Sequence, residues 1–185
     1  MTYTCTLKPS LYVKQKHWQT DFPIAKLPGW LDQQPDTVIQ SGQVNLYVSN
    51  SVRDENGKIG LFAYLDIESP DHDDIAANIN AAQDAYLWLQ VHGLDGGLRV
   101  MCSGRGFRFC WPFIVPYEYK SAFQTIAHDI PYAEDIKLHH FLRLAGYRGN
   151  KSQAKKGQVV DGSIRLLSDP SDVMTMTVES YNALV

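Results

Sequence analysis

The sequence predicts an α+β fold, an antiparallel-rich sheet with helices packed on it. Three observations carry this. Val44, Leu46 and Val48 alternate with polar neighbours, Asp54-Glu55-Asn56-Gly57 turns the chain, and a second strand-like run follows to Asp66; this is a hairpin pattern. Ile75, Ile79, Ala82, Tyr86 and Leu89 recur at three- and four-residue spacing, which makes one apolar stripe on a helix. Two further apolar runs, Leu98 to Cys102 and Phe107 to Phe113, flank a glycine-containing turn at Ser103 to Gly106.

The elements follow in order. Residues 1 to 38 are rich in aromatics and proline with weak periodicity, so irregular structure and short helices packed on the core are expected. After the hairpin, Ser69-Pro70-Asp71 reads as a helix start: serine as N-cap, proline in the first turn, acids complementing the helix dipole. That helix should stop near His92-Gly93. The strand pair around Ser103 to Gly106 comes next. Pro116 then opens a second helix with Tyr119, Phe123, Ile126 and Ile130 on its inner face. Ile136 to Leu144 reads as strand-like or partly helical, Gly149 to Gly157 as a polar loop, and Gln158 to Leu167 and Val173 to Val178 as short strands. The 185 residues fit a single domain spanning 1–185.

Composition is that of an ordinary globular chain, 44% hydrophobic and 20% charged. The net charge of -3 advertises no nucleic-acid binder globally. Charge is uneven, however: Lys137, Arg143, Arg148, Lys151, Lys155, Lys156 and Arg165 make a basic stretch opposed only by Asp161. Cys5, Cys102 and Cys110 form no CxxC pair, which argues against structural zinc and a disulfide framework. No secretory signal pattern and no apolar run of membrane-spanning length is present. A cytoplasmic location without membrane partners is the expectation.

Two segments carry chemistry. Asp66 and Glu68 close the run Leu61-Phe62-Ala63-Tyr64-Leu65-Asp66-Ile67-Glu68. Strand side chains alternate, so both acids face one way. Like charges so close call for a cation or for water. A divalent metal is the economical explanation, and a third ligand is then needed, with Asp135 and Asp161 the candidates. The second segment, Ser103-Gly104-Arg105-Gly106-Phe107-Arg108, gathers a hydroxyl, flexible backbone and two guanidinium groups. Such a set can grip phosphate oxygens.

Taken together, these segments resemble the archaeo-eukaryotic primase superfamily. That family carries an acidic pair at a strand end, a helix, a strand leading into a Ser-Gly-x-Gly-x-His type motif, and a later acid followed by a basic stretch. The resemblance covers roughly Val44 to Val160, with Arg108 standing where the family's histidine is usual. It implies an RRM-like catalytic sheet and a DNA primase or primase-polymerase that transfers nucleotides from nucleoside triphosphates onto primers on single-stranded DNA. Asp66, Glu68 and Asp135 (alternatively Asp161) would hold two Mg²⁺ or Mn²⁺ ions. Ser103, Gly104, Arg105, Gly106, Arg108, His140, Arg143 and Arg148 would contact the triphosphate, and the lysines of residues 151 to 156 a 5′-side triphosphate. A helicase or other replication protein is an expected partner. The competing expectation is a non-catalytic initiator or template-binding module on the same fold. A rolling-circle nuclease is disfavoured, because His139 and His140 are adjacent and a strand would send them to opposite faces.

Overall fold

The computed structural model describes residues 2–11, 14–15, 19–26, 44–104, 106–134, 141–143, 148–153, 158–163 and 165–184. In chain order the strands are β1 (Thr4–Leu11), β2 (Lys14–Gln15), β3 (Gln19–Pro23), β4 (Val44–Arg53), β5 (Ile59–Ile67), β6 (Arg99–Cys102), β7 (Phe107–Pro116), β8 (Phe141–Arg143), β9 (Arg148–Gln153), β10 (Gln158–Ser163) and β11 (Arg165–Leu166). The helices are α1 (Ile75–Val91), α2 (Lys120–Asp129) and α3 (Val178–Leu184). The chain is α+β, its registered strand pairs are antiparallel, and it divides into two compact units: Met1–Leu61 with Lys137–Ile164, and Phe62–Ile136 with Arg165–Val185. No helix among the described residues is long and apolar enough to cross a membrane.

In the first unit β1 pairs with β4 on one side and with β3 and β2 on the other. This corrects the expectation of irregular structure for Thr4–Leu11, Lys14–Gln15 and Gln19–Pro23; residues 27–38 of the same stretch lie outside the described residues. Pairing to β3 ends at Leu7 and pairing to β2 begins at Ser10, while Pro9 stands opposite Leu46 of β4. The free edge of β4 is shared, with β8 on Tyr47 to Ser49 and the start of β5 on Ser51 to Arg53. The predicted hairpin turn is present. Gly57 takes φ 76°, and the Asp54 carboxylate accepts the N–H groups of Asn56 and Lys58. β9 and β10 form a separate ribbon in register from Arg148↔Ser163 to Gln153↔Gln158. Part of the expected polar loop is therefore strand; backbone groups pair without needing an apolar stripe.

In the second unit the strand order is β11-β6-β7-β5. Alternation sorts the two faces. Ala63, Leu65 and Ile67 of β5, with Phe107 and Phe109 of β7, are buried almost completely. The described helices α1, α2 and α3 lie on this face. α1 contributes Ile79, Ala82, Tyr86 and Leu89, α2 contributes Ala127 with Ile130 just beyond it, and α3 contributes Tyr181, whose ring tilts against Phe107 at 5.3 Å. The other face carries Tyr64 and Asp66 of β5 and Arg108 of β7.

Three details differ from expectation. α1 begins at Ile75 with Asp74 as N-cap, its side chain accepting the Ala77 N–H. Ser69 to Asp73 form a capped turn instead, because the buried Asn78 amide accepts the Ser69 N–H and donates to the His72 carbonyl, and the Asp71 side chain accepts the Asp73 N–H. Such local side-chain bonds compete with the helix. Tyr119, the N-cap of α2, is exposed rather than inward, whereas Ile126, though partly exposed, lines the apolar cleft with Phe123 and Ile130. Finally, Val173 to Val178 is no strand. A 3-10 turn at Pro170–Thr175, opened by the Asp169–Asp172 capping box, leads into α3.

Candidate metal and phosphate site

β5 and β7 are neighbours in the sheet, and their ends bring the two chemical segments together within the second unit. The Arg108 Nε donates to Asp66 Oδ1 at 2.7 Å, and Nη2 donates to Oδ2 at 3.3 Å. The guanidinium carbon lies 5.4 Å from the centre of the Tyr64 ring. The two side chains of the pair are only 10% and 20% exposed. Burial alone would lower the Arg108 pKa, but the charge and hydrogen bond of Asp66 outweigh it, and the net shift is upward. Asp66 is thus neutralised by an arginine, an arrangement the spacing of the motifs did not reveal.

Two residues on, Glu68 meets a different set. A backbone bridge joins Ile67 to Ala133; Glu68 N–H donates to the Tyr132 carbonyl, and Glu134 N–H to the Asp66 carbonyl. These bonds hold Glu134 beside Glu68. His72 Nδ1 lies 2.8 Å from Glu68 Oε2. One donor atom each from Glu68, His72 and Glu134 fall within 4.8 Å of one another. Sequence reasoning missed His72 and Glu134. Glu68 and His72 are four residues apart, but the intervening turn is not helical, and Glu134 arrives only through long-range pairing.

The Ser103 to Gly106 segment is a tight turn. Gly104 adopts φ 90°, where a side chain would be strained. Ser103 N–H donates to the Gly106 carbonyl at 2.9 Å, and the Ser103 hydroxyl accepts the Gly106 N–H at 3.3 Å. Tyr181 of α3 donates its hydroxyl to that same Gly106 carbonyl at 3.1 Å. A β-carbon on Gly106 would lie 2.6 Å from Glu68 Cγ and 2.9 Å from the Ile67 carbonyl oxygen. Gly106→Ala is therefore expected to cost about 1–3 kcal/mol through overpacking, read by chemical denaturation. A stability equal to wild type would show that β5 yields freely at this point.

On β6, Arg99 is exposed and stands opposite Cys110, which places it on the same sheet face as Arg108. It too escaped sequence reasoning, being separated from the turn by a strand. Arg105, Asp135, Lys137, His139, His140, Lys155 and Lys156 lie outside the described residues. Arg143 and Arg148 belong to β8 and β9, and Asp161 to β10 opposite Asn150, all in the first unit. A cleft of about 290 Å³ on the helix face is lined by apolar residues including Leu65, Leu89, Trp111, Phe123 and Ile130; it offers no donor set for metal or phosphate.

The thiols are not part of this chemistry. Burial pushes Cys102 up to about 12 from its ordinary 9.0, and burial, with Arg108 opposing and Asp66 adding, likewise puts Cys110 at about 12. At pH 8, disulfide reagents should label Cys102 on the order of a hundredfold more slowly in native protein than in urea. The sign for stability follows. The folded state keeps these protons that the unfolded chain loses near 9.0, so the contribution is full below pH 9 and is lost as pH rises toward about 12. Fast native labelling of Cys102 would contradict its burial.

Comparison with known proteins found no family model, no curated protein and no solved structure that matches the chain.

Proposed function

We propose that this chain is a nucleotidyl-transfer domain of the archaeo-eukaryotic primase type, making or extending primers on single-stranded DNA from nucleoside triphosphates. One observation supports it above all. The acid-tipped strand and the glycine-arginine turn, separated by some forty residues of sequence, meet side by side at the ends of β5 and β7, with Arg108 2.7 Å from Asp66. Metal-binding acids beside a phosphate-gripping turn are what triphosphate chemistry requires.

The donor chemistry fits divalent cations. Glu68, His72 and Glu134 would hold one, and Asp66 with Glu68 would hold a second. An imidazole among carboxylates suits Mn²⁺ better than Mg²⁺, which strongly prefers oxygen. Bound ions would lower the pKa of the attacking 3′-hydroxyl and offset charge on the triphosphate. The chain's own residues do the rest. Arg108 and Arg99 present cations to phosphate oxygens, and the rigid Ser103 to Gly106 turn fixes where those cations stand. Pinning of that turn by Tyr181 limits its motion, so positioning supplies much of the rate. A replication helicase is a fitting partner, and the cytoplasm a fitting location.

The test is incubation with single-stranded DNA, labelled nucleotides and Mn²⁺, with and without an annealed primer. Products that disappear in Asp66→Ala are expected; full synthesis by that variant would rule the assignment out. A second reading, a template-binding module without catalysis, draws on the Arg108 fork that occupies Asp66. It predicts DNA binding without metal-dependent uptake of a nucleoside triphosphate.

A further inference from the structure

We propose that Arg108 is a latch on Asp66: it denies that carboxylate to a metal until a polyphosphate draws the guanidinium away. This rests on the nucleotidyl-transfer reading and adds a regulation of the same site. Both carboxylate oxygens of Asp66 are engaged by the fork, at 2.7 and 3.3 Å. The pair is largely buried, and the guanidinium is seated over Tyr64. A dication cannot share this carboxylate cheaply with an arginine held so close, because their repulsion is little screened there. Metal at Asp66 therefore competes directly with Arg108.

A triphosphate changes the balance. It offers Arg108 several anionic oxygens in the geometry a guanidinium prefers. The shift goes only as far as the differential affinity allows. Once Arg108 engages phosphate, Asp66 is left as an unpaired carboxylate and becomes a strong metal ligand. Glu68 is engaged by His72 rather than by the Arg108 fork, so a cation among Glu68, His72 and Glu134 is not in direct competition with Arg108 for Asp66. Metal uptake is thereby split into a standing site and a nucleotide-gated one. An acid pair left unguarded would bind metal without substrate; the latch makes assembly of the full site conditional on the nucleotide.

Linkage makes the proposal testable from both sides, since Asp66 and phosphate compete for the same cation. In the first arm the full chain is titrated with MnCl₂ without nucleotide, and free Mn²⁺ is followed by electron paramagnetic resonance. Arg108→Gln should bind an additional Mn²⁺ that wild type takes up about tenfold more weakly or not at all. In the second arm, with EDTA present so that no metal intervenes, calorimetry measures binding of a non-hydrolysable nucleoside triphosphate. Asp66→Asn, nearly the same shape as wild type, should bind it about tenfold more tightly, because Arg108 is released. A purely structural ion pair predicts neither gain. Mn²⁺ binding by folded Arg108→Gln that matches wild type, or triphosphate binding by Asp66→Asn no tighter than wild type, overturns the latch. If wild type still binds triphosphate in those cases, the nucleotidyl-transfer reading survives alone. If wild type and both variants refuse triphosphate even with Mn²⁺, both the reading and the latch fall. Should Arg108→Gln fail to fold, the Asp66→Asn arm decides.

Discussion

Asp66→Ala should abolish primer synthesis and also destabilise the fold by about 3 kcal/mol, the low end for breaking a buried ion pair. The two effects have different origins. On the proposed nucleotidyl-transfer reading, synthesis would fail because a metal ligand is gone. Stability falls because Arg108, with its side chain 10% exposed, keeps a charge and loses the partner that balanced it. The low end applies because Asp66 is 20% exposed and water can partly replace the carboxylate. A double replacement separates the two causes. Asp66→Asn with Arg108→Gln removes both charges and should recover most of the stability while leaving synthesis absent. Urea unfolding and primer extension on wild type, Asp66→Ala and the double variant measure this. If the double variant regained synthesis, Asp66 would be a structural residue and the metal assignment would fail. If Asp66→Ala were as stable as wild type, the fork would be solvated in solution and the latch would have nothing to release.

The parts of this fold written in short-range pattern were legible. The β4–β5 hairpin rests on alternation and on a turn whose Asp54 and Gly57 act within four residues. The stripe of α1 and its stop at His92-Gly93 are likewise local. What the sequence concealed depends on partners far away. β1 contains a proline and becomes a strand because β4, some forty residues away in sequence, pairs along its length. α1 starts late because a buried asparagine one turn inside captures the chain at Ser69. The stretch Val173 to Val178 holds alternating apolar residues, yet Asp169 and Asp172 cap a 3-10 turn that overrides them. In each case a specific hydrogen bond outweighs a weak propensity.

The candidate site divides in the same way. Asp66, Glu68, Ser103, Gly106 and Arg108 could be named from residue type and spacing, and neighbouring strands bring them together. Their relationships could not be named. That Arg108 pairs with Asp66 follows from β5–β7 adjacency, and the turn alone suggested an arginine free for phosphate. That the Ser103 hydroxyl accepts the Gly106 N–H follows from the tightness of the turn, and it assigns to architecture an oxygen expected at the ligand. Glu134 reaches Glu68 through the Ile67–Ala133 bridge, one position before the Asp135 that pattern singled out. Arg99 joins the face through the β6–β7 register. Type and spacing give the cast of side chains; only register gives their pairings.

Tyr181→Ala should cost about 3–5 kcal/mol, the range for truncating a large buried aromatic, and should loosen the turn that carries the site. The side chain is completely buried. Its ring packs on Phe107 at the first position of β7, and its hydroxyl holds the Gly106 carbonyl. α3 spans only seven residues, too few to persist unless packed, so the tyrosine anchors the helix as much as the helix presents the tyrosine. Tyr181→Phe separates packing from hydrogen bonding. It keeps the ring and should lose only about 1 kcal/mol, because Ser103 N–H still donates to the same carbonyl. Thermal unfolding measures the first quantity, and hydrogen exchange at the Ser103 and Gly106 amides measures the second. Faster exchange at those two amides in Tyr181→Phe, with α1 unaffected, is expected if α3 braces the phosphate turn. A loss below about 1 kcal/mol for Tyr181→Ala would mean that the packing on Phe107 contributes little, and the rigidity assigned to Ser103 to Gly106 would then have to come from Gly104 and the Ser103 hydroxyl alone.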